Sequence, residues 1–259
     1  MWHHRHFTVM ESRARAFGTS KDAFLGQIWL IVEPFLNAGV FYLIFAVVLE
    51  FDRGMENFVG YLVIGVMSFT LMTRSLSANT AIEGNGQRLA QLFSFPKASL
   101  ILSYTLRSFI DFIPSFMAML VFLVVMPPHA YPSPQWLLAP LIYALVFPMC
   151  MGIGMVAATA VVIVPDLRFL IGLLSRFWFY GSGIFWTVDM LESKPLLQGI
   201  MMLNPGWVFL ETLRDVLLRG AIPAPNLIVY LGAWSFGLFA LGLIVMWSAE
   251  GKMGKVLSK

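Results

Sequence analysis

Charge is scarce in this sequence. Only 12% of its 259 residues are Asp, Glu, Lys or Arg, against 59% hydrophobic, and the mean hydropathy is +0.79. A soluble domain carries about 25% charged residues, so a water-soluble globule of this composition would lack the polar groups to cover its surface. A soluble enzyme, a disordered tail and a nucleic-acid-binding domain are all disfavoured. The sequence pI is 9.1, but it rests on a net charge of +3 and on scattered basic residues. Cysteine is nearly absent as well. Cys150 is the single one, in an apolar run, and has no partner for an intramolecular disulfide.

Catalytic patterns are equally thin. Gly84-Asn85-Gly86-Gln87-Arg88 is rich in glycine, but the Gly-Lys-Ser/Thr ending and the preceding strand of a phosphate loop are missing. It reads as a flexible entry to a loop helix. His3, His4 and His6 cluster without a cysteine or carboxylate at metal-ligand spacing, so no metal site is expected. No serine sits in a nucleophile elbow with a credible triad. What the chain does have is long apolar runs, and these make it an integral membrane protein.

A helix crossing the hydrocarbon layer needs about 20 mostly apolar residues. Six runs qualify: 28–49, 58–72 with a polar continuation to 78, 99–126, 137–164, 169–188 and 226–249. The run 137–164 carries no charge and would be about 42 Å long as a straight helix. It is expected to tilt, project or bend at Pro148. A seventh apolar stretch, 196–218, is broken by Asn204-Pro205-Gly206, and Glu211, Arg214, Asp215 and Arg219 load its second half. Each half is too short to span, so the stretch reads as a re-entrant hairpin of two short helices packed inside protein.

Orientation follows from lysine and arginine in the loops. With both termini cytoplasmic, eleven basic residues lie inside (Arg5, Arg13, Arg15, Lys21, Arg74, Arg88, Lys97, Arg168, Lys252, Lys255 and Lys259) and four outside (Arg53, Lys194, Arg214 and Arg219). Acidic residues lean the other way. The opening segment lacks the apolar core of a secretory signal. On a helix from Arg5, the residues Phe7, Met10, Ala14 and Phe17 share one face by three-and-four spacing, which suits the membrane interface; a frayed tail is the alternative.

Charges within the spans are costly and therefore informative. Arg107 and Asp111 are four apart on the third span and can pair along one face; the pair either neutralises itself between helices or touches a substrate. Arg176 on the fifth span has no local acid. Glu33, a neighbouring carbonyl, water or an anionic ligand could meet it. Aromatic residues make up 15% of the chain, with Phe35, Phe41, Tyr42 and Phe45 on the first span and Phe177, Trp178, Phe179, Tyr180, Phe185 and Trp186 on the fifth. Packing against lipid and an interfacial belt account for such rings. A conduit is the alternative, since aromatic faces give sliding, weakly directional contact to sugar C–H groups.

Four landmarks in order carry a family resemblance. Lys21-Asp22-Ala23-Phe24-Leu25-Gly26-Gln27-Ile28-Trp29 leads to Glu33-Pro34 at the mouth of the first span. The stretch 85–97 closes with Phe95-Pro96-Lys97. Pro165-Asp166-Leu167-Arg168 precedes the fifth span, and Leu203-Asn204-Pro205 is followed by Arg214 and Gly220. This series resembles the type-2 ABC exporter permeases, in particular the polysaccharide, O-antigen and teichoic-acid subgroup. The third landmark has acid and base in altered order.

The resemblance implies one permease domain over 1–259: an all-α membrane protein with six spans, a cytoplasmic amphipathic helix at 1–27, a coupling loop at 80–98 and external re-entrant helices within 189–225. It implies a half-transporter, two copies of this chain with two copies of a separate ATPase that holds ATP and magnesium. No cofactor is expected on this chain. The implied cargo is a lipid-linked glycan of O-antigen, galactan, capsule or teichoic-acid type, and the implied location is the bacterial cytoplasmic membrane. In the loop, Leu89, Leu92 and Phe93 form a short apolar face between Arg88 and Lys97, ended by Phe95-Pro96, which is expected to dock on the ATPase. If two permeases meet along their first and fifth spans, Phe35, Tyr42 and Phe45 fall near one stripe of the first span. On the fifth, Phe177 and Tyr180 share a stripe beside Arg176, which suits a pyrophosphate headgroup. A drug or lipid exporter is the nearest rival reading. A multi-pass glycan transferase would need clustered Asp, His and Arg in its cytoplasmic loops, and this sequence has none.

Overall fold

A computed structural model describes residues 57–78 and 97–257, with six isolated positions at 32, 36, 39, 40, 43 and 44. The amphipathic segment 1–27, the first-span aromatics Phe35, Tyr42 and Phe45, and the loop residues Arg88, Leu89, Leu92, Phe93, Phe95 and Pro96 lie outside the described residues, as does the side chain of Lys97.

Among the described residues there are seven α-helices and no strand: α1 Phe58–Leu76, α2 Lys97–Val125, α3 Ala139–Ile163, α4 Leu167–Tyr180, α5 Pro195–Met202, α6 Pro205–Leu217 and α7 Pro225–Leu257. Four stretches are long and apolar enough to cross a membrane: Phe58–Leu76, Ala98–Val125, Pro134–Ile163 and Pro225–Met253. They match the second, third, fourth and sixth expected spans.

Side-chain caps start two of the helices. Asn57 caps α1, its Oδ1 accepting from Gly60 N at 2.7 Å while its Nδ2 donates to the Pro128 carbonyl at 2.7 Å. Asn204 caps α6 with Pro205 at the first helical position, where a missing N–H costs nothing. Helix α3 continues through Pro148. Proline leaves a gap in the hydrogen-bond ladder there, and Ser235 of α7 enters it. Its hydroxyl accepts from Met149 N at 3.0 Å and donates to the Leu145 carbonyl.

Helices α3 and α7 are packed at backbone contact. A β-carbon added at Gly152 would stand 2.2 Å from the Leu238 carbonyl oxygen. Such proximity requires a residue without a side chain, and small residues at helix interfaces gain packing that lipid does not provide. The core centres on α1, which is buried on nearly every side against α2, α3 and α6. Leu62, Val63, Ile64, Phe69, Leu71 and Met72 are fully enclosed there.

One expectation needs correction. The fifth span is not one helix over 169–188. Helix α4 ends at Tyr180, and Gly181-Ser182-Gly183 turns the chain, with Gly183 at φ +66°. At 14 residues α4 is about 21 Å long, shorter than the roughly 30 Å hydrocarbon layer. Arg214, on the stretch 196–218 expected to pack inside protein, is completely buried.

Candidate functional site

The aromatics of α4 divide between two faces. Trp178 and Phe179 turn inward onto Phe69 of α1, with ring centroids 5.2 and 5.6 Å apart and near-perpendicular planes. Phe177 and Tyr180 face out, 68% and 61% exposed, with Arg176 exposed beside them. Phe169, Leu170, Leu173 and Leu174 continue the outward face toward the helix start. Helix α4 has no fully buried residue. Of the expected pathway residues, then, Arg176, Phe177 and Tyr180 share one open surface.

The C-terminal turn of α4 is held from two directions. Asn204 is the first anchor. Its Oδ1 accepts from Trp178 Nε1 and from Gly206 N, both at 2.9 Å, and its Nδ2 donates to the Gly181 carbonyl at 2.9 Å and to Ser182 Oγ at 3.1 Å. One amide side chain thus caps α6 and fixes the end of α4. The second anchor is Arg214. Its Nη2 donates to the Gly183 carbonyl at 2.9 Å and lies 3.4 Å from the Tyr61 carbonyl, and its guanidinium carbon sits 3.3 Å from the centre of the Tyr61 ring. The Tyr61 hydroxyl in turn donates to the carbonyls of Gly183 and Trp186, each at 2.8 Å. A β-carbon at Gly183 would meet Met201 Cε at 2.7 Å and Trp207 Cδ1 at 2.9 Å, so glycine is required by both φ and space.

Electrostatics explain why an arginine can be buried here. Arg214 Nη1 lies 3.6 Å from Glu211 Oε2, and carbonyl oxygens and the tyrosine ring face supply the rest of its negative surroundings. Glu211 also accepts from Arg219 Nη1 at 2.6 Å, and Asp215 accepts from the same atom at 2.6 Å. Desolvation pulls the Arg219 guanidinium down, but Glu211 and Asp215 outweigh it and hold the group above the ordinary arginine value. On α2, Arg107 Nε lies 3.3 Å from Asp111 Oδ2, both side chains about a quarter exposed.

Sequence reasoning named Asn204 and Arg214 within a motif but missed their partners Tyr61, Trp178 and Gly183. The Gly-Ser-Gly triplet was the signal for a break after α4.

The sequence comparison decides the family. Residues 12–218 match the family described as ABC-2 type transporter, which is most of the chain. The chain belongs to the ABC-2 type transporter family. Similar curated proteins include the O-antigen export system permease protein RfbA of Myxococcus xanthus, 20% identical over 230 residues, covering 89% of this chain and 84% of that protein. An O-antigen export system permease protein RfbA of Klebsiella pneumoniae is 23% identical over 203 residues, covering 78% of this chain and 76% of its own length. As an ABC-2 family protein the chain is a multi-pass transporter membrane component.

Proposed function

We propose that this ABC-2 permease exports a lipid-linked polysaccharide of the O-antigen type across the bacterial cytoplasmic membrane. The observation that carries the reading is the similarity over more than three quarters of the chain to O-antigen export permeases. The open face of α4 supports it, because it offers rings and exposed arginines rather than a closed polar pocket. A growing or sliding polymer needs weak, repeated contacts, and Phe177 and Tyr180 provide them. Arg176 meets the pyrophosphate linkage at loading.

In this reading the chain crosses the membrane six times with both ends cytoplasmic. The first span is 28–49, and α4 completes its crossing through the segment after Tyr180. Irregular backbone at that depth is tolerated when buried in protein, and Ser182, Gly183 and Ile184 are buried. Helices α5 and α6 form the external re-entrant pair. Two copies of the chain face each other across the aromatics of the first span and α4. Two copies of an ATPase bind the loop around Leu89, Leu92 and Phe93 and hold ATP and magnesium, while this chain does no covalent chemistry.

The test is ATP turnover by the permease–ATPase complex in lipid nanodiscs. A lipid-linked glycan should stimulate it in the parent, and Arg176→Ala should reduce the stimulation while leaving assembly intact. Stimulation by apolar drugs or bare phospholipid, with none by the glycan, would reassign the cargo.

A further inference from the structure

The attachment of α4 to the rest of the protein is uneven. Its body lies on the bundle through a half-buried line of Leu167, Ile171 and Ser175, and none of its residues is fully enclosed. A β-carbon added at Gly172, in mid-helix, would meet nothing within 4 Å. At the Tyr180 end, by contrast, Asn204 and Arg214 from α6 and Tyr61 and Phe69 from α1 converge on the turn 178–183. There is no slack in that junction. A β-carbon at Gly206 would stand 2.6 Å from Ser182 Oγ.

From this asymmetry we infer that Asn204, Arg214 and Tyr61 are positioning residues that make the turn 178–183 a fixed pivot, about which α4 swings at its Leu167 end. The inference rests on the transport reading above and adds to it which end of the helix moves. Elements with little buried surface open at lower free energy than the core they lie on, and hinges fall at element ends. Leu167 is about 20 Å along the axis from Tyr180. A tilt of about 15° therefore carries the Leu167 end about 5 Å but Arg176 only about 1.6 Å. The cytoplasmic entrance can widen for a headgroup while Phe177 and Tyr180 stay close to their resting positions and keep the outer part of the path narrow.

The test is electron–electron distance measurement on the permease–ATPase complex in nanodiscs, with Cys150 replaced by Ala and one labelled copy per complex. Labels at Trp247 of α7, near the cytoplasmic end of the last span, and at Phe169 report the entrance end. Labels at Leu141 and Tyr180 report the pivot end. Between the nucleotide-free and the ATP-trapped complex, the 247–169 distribution should shift beyond its own width and the 141–180 distribution should not. In Asn204→Ala the 141–180 distribution should shift with nucleotide as well, and the ratio of glycan-stimulated to basal turnover should fall. Arg214→Ala should do the same where it folds; Asn204→Ala is the deciding variant because its side chain lies at a helix start rather than in the core. If the 141–180 pair moves as far as the 247–169 pair in the parent, or neither moves, the pivot is wrong even though export continues. If the complex does not assemble or hydrolyse ATP, the transport reading fails first, and the pivot with it.

Discussion

Gly242 of α7 and Gly152 of α3 meet backbone to backbone: a β-carbon at Gly242 would stand 2.6 Å from the Gly152 carbonyl oxygen and 2.8 Å from its α-carbon. Together with Ser235 in the Pro148 gap, this contact makes α3 and α7 one unit, against which the other helices are arranged.

Replacing Gly152 by Ala should therefore force the two backbones apart. Overpacking of this kind costs about 1–3 kcal/mol, and here the obstacle is backbone that cannot rotate away. The melting temperature of the detergent-solubilised permease should fall clearly. Gly237→Ala on the same α7, where an added β-carbon meets nothing within 4 Å, should leave it unchanged. Equal effects from both would show that the contact is not specific.

Ser235→Ala removes the hydroxyl that satisfies Met149 N–H and the Leu145 carbonyl, and should destabilise by about 1–3 kcal/mol. The cost should depend on Pro148. In a Pro148→Ala background the helix ladder can close on itself, so the double variant should be less impaired than the sum of the singles. Thermal unfolding of the four proteins gives the cycle, and strict additivity would contradict the coupling.

The two faces of α4 should separate stability from transport. Trp178→Ala loses the packing on Phe69 and the hydrogen bond to Asn204, and should cost about 3 kcal/mol in stability. Phe177→Ala and Tyr180→Ala, both on the open face, should unfold at the parent temperature yet alter export or leak. Export at the parent level from both would return these rings to ordinary packing.

Much of this was legible in the sequence because membrane spans are written in composition. Helices α1, α2 and α3 fell within a few residues of the apolar runs, and α7 began at its run but continued eight residues past it, since a spanning helix must be apolar for most of its length. The break at Asn204-Pro205 was equally plain from the residues that start helices. The early end of α4 was not, because residues 184–188 remain apolar and hydropathy does not register a Gly-Ser-Gly turn. The setting of Arg214 was not legible for a related reason: apart from Glu211, three positions before it, its partners are carbonyl oxygens and a ring contributed by residues 31 and 153 positions away. No local pattern shows such partners. The division of α4 into a packed and an open aromatic face likewise depends on where Phe69 lies.

The loop segment 86–97 links this chain to its energy source in the transport reading. Leu92→Asp with Phe93→Asp should abolish co-purification of the ATPase while membrane insertion is retained. A complex that survives both changes and turns over ATP normally would move the docking surface elsewhere.

The most direct measurement is export itself. Permease and ATPase are reconstituted into proteoliposomes with a lipid-linked O-antigen-type glycan, and the glycan's appearance in the opposite leaflet is followed by a lectin that does not cross the membrane. ATP should drive exposure of the glycan in the parent, and a hydrolysis-dead ATPase should not. An assembled complex that hydrolyses ATP but exposes no more glycan than the ATP-free control would contradict the account.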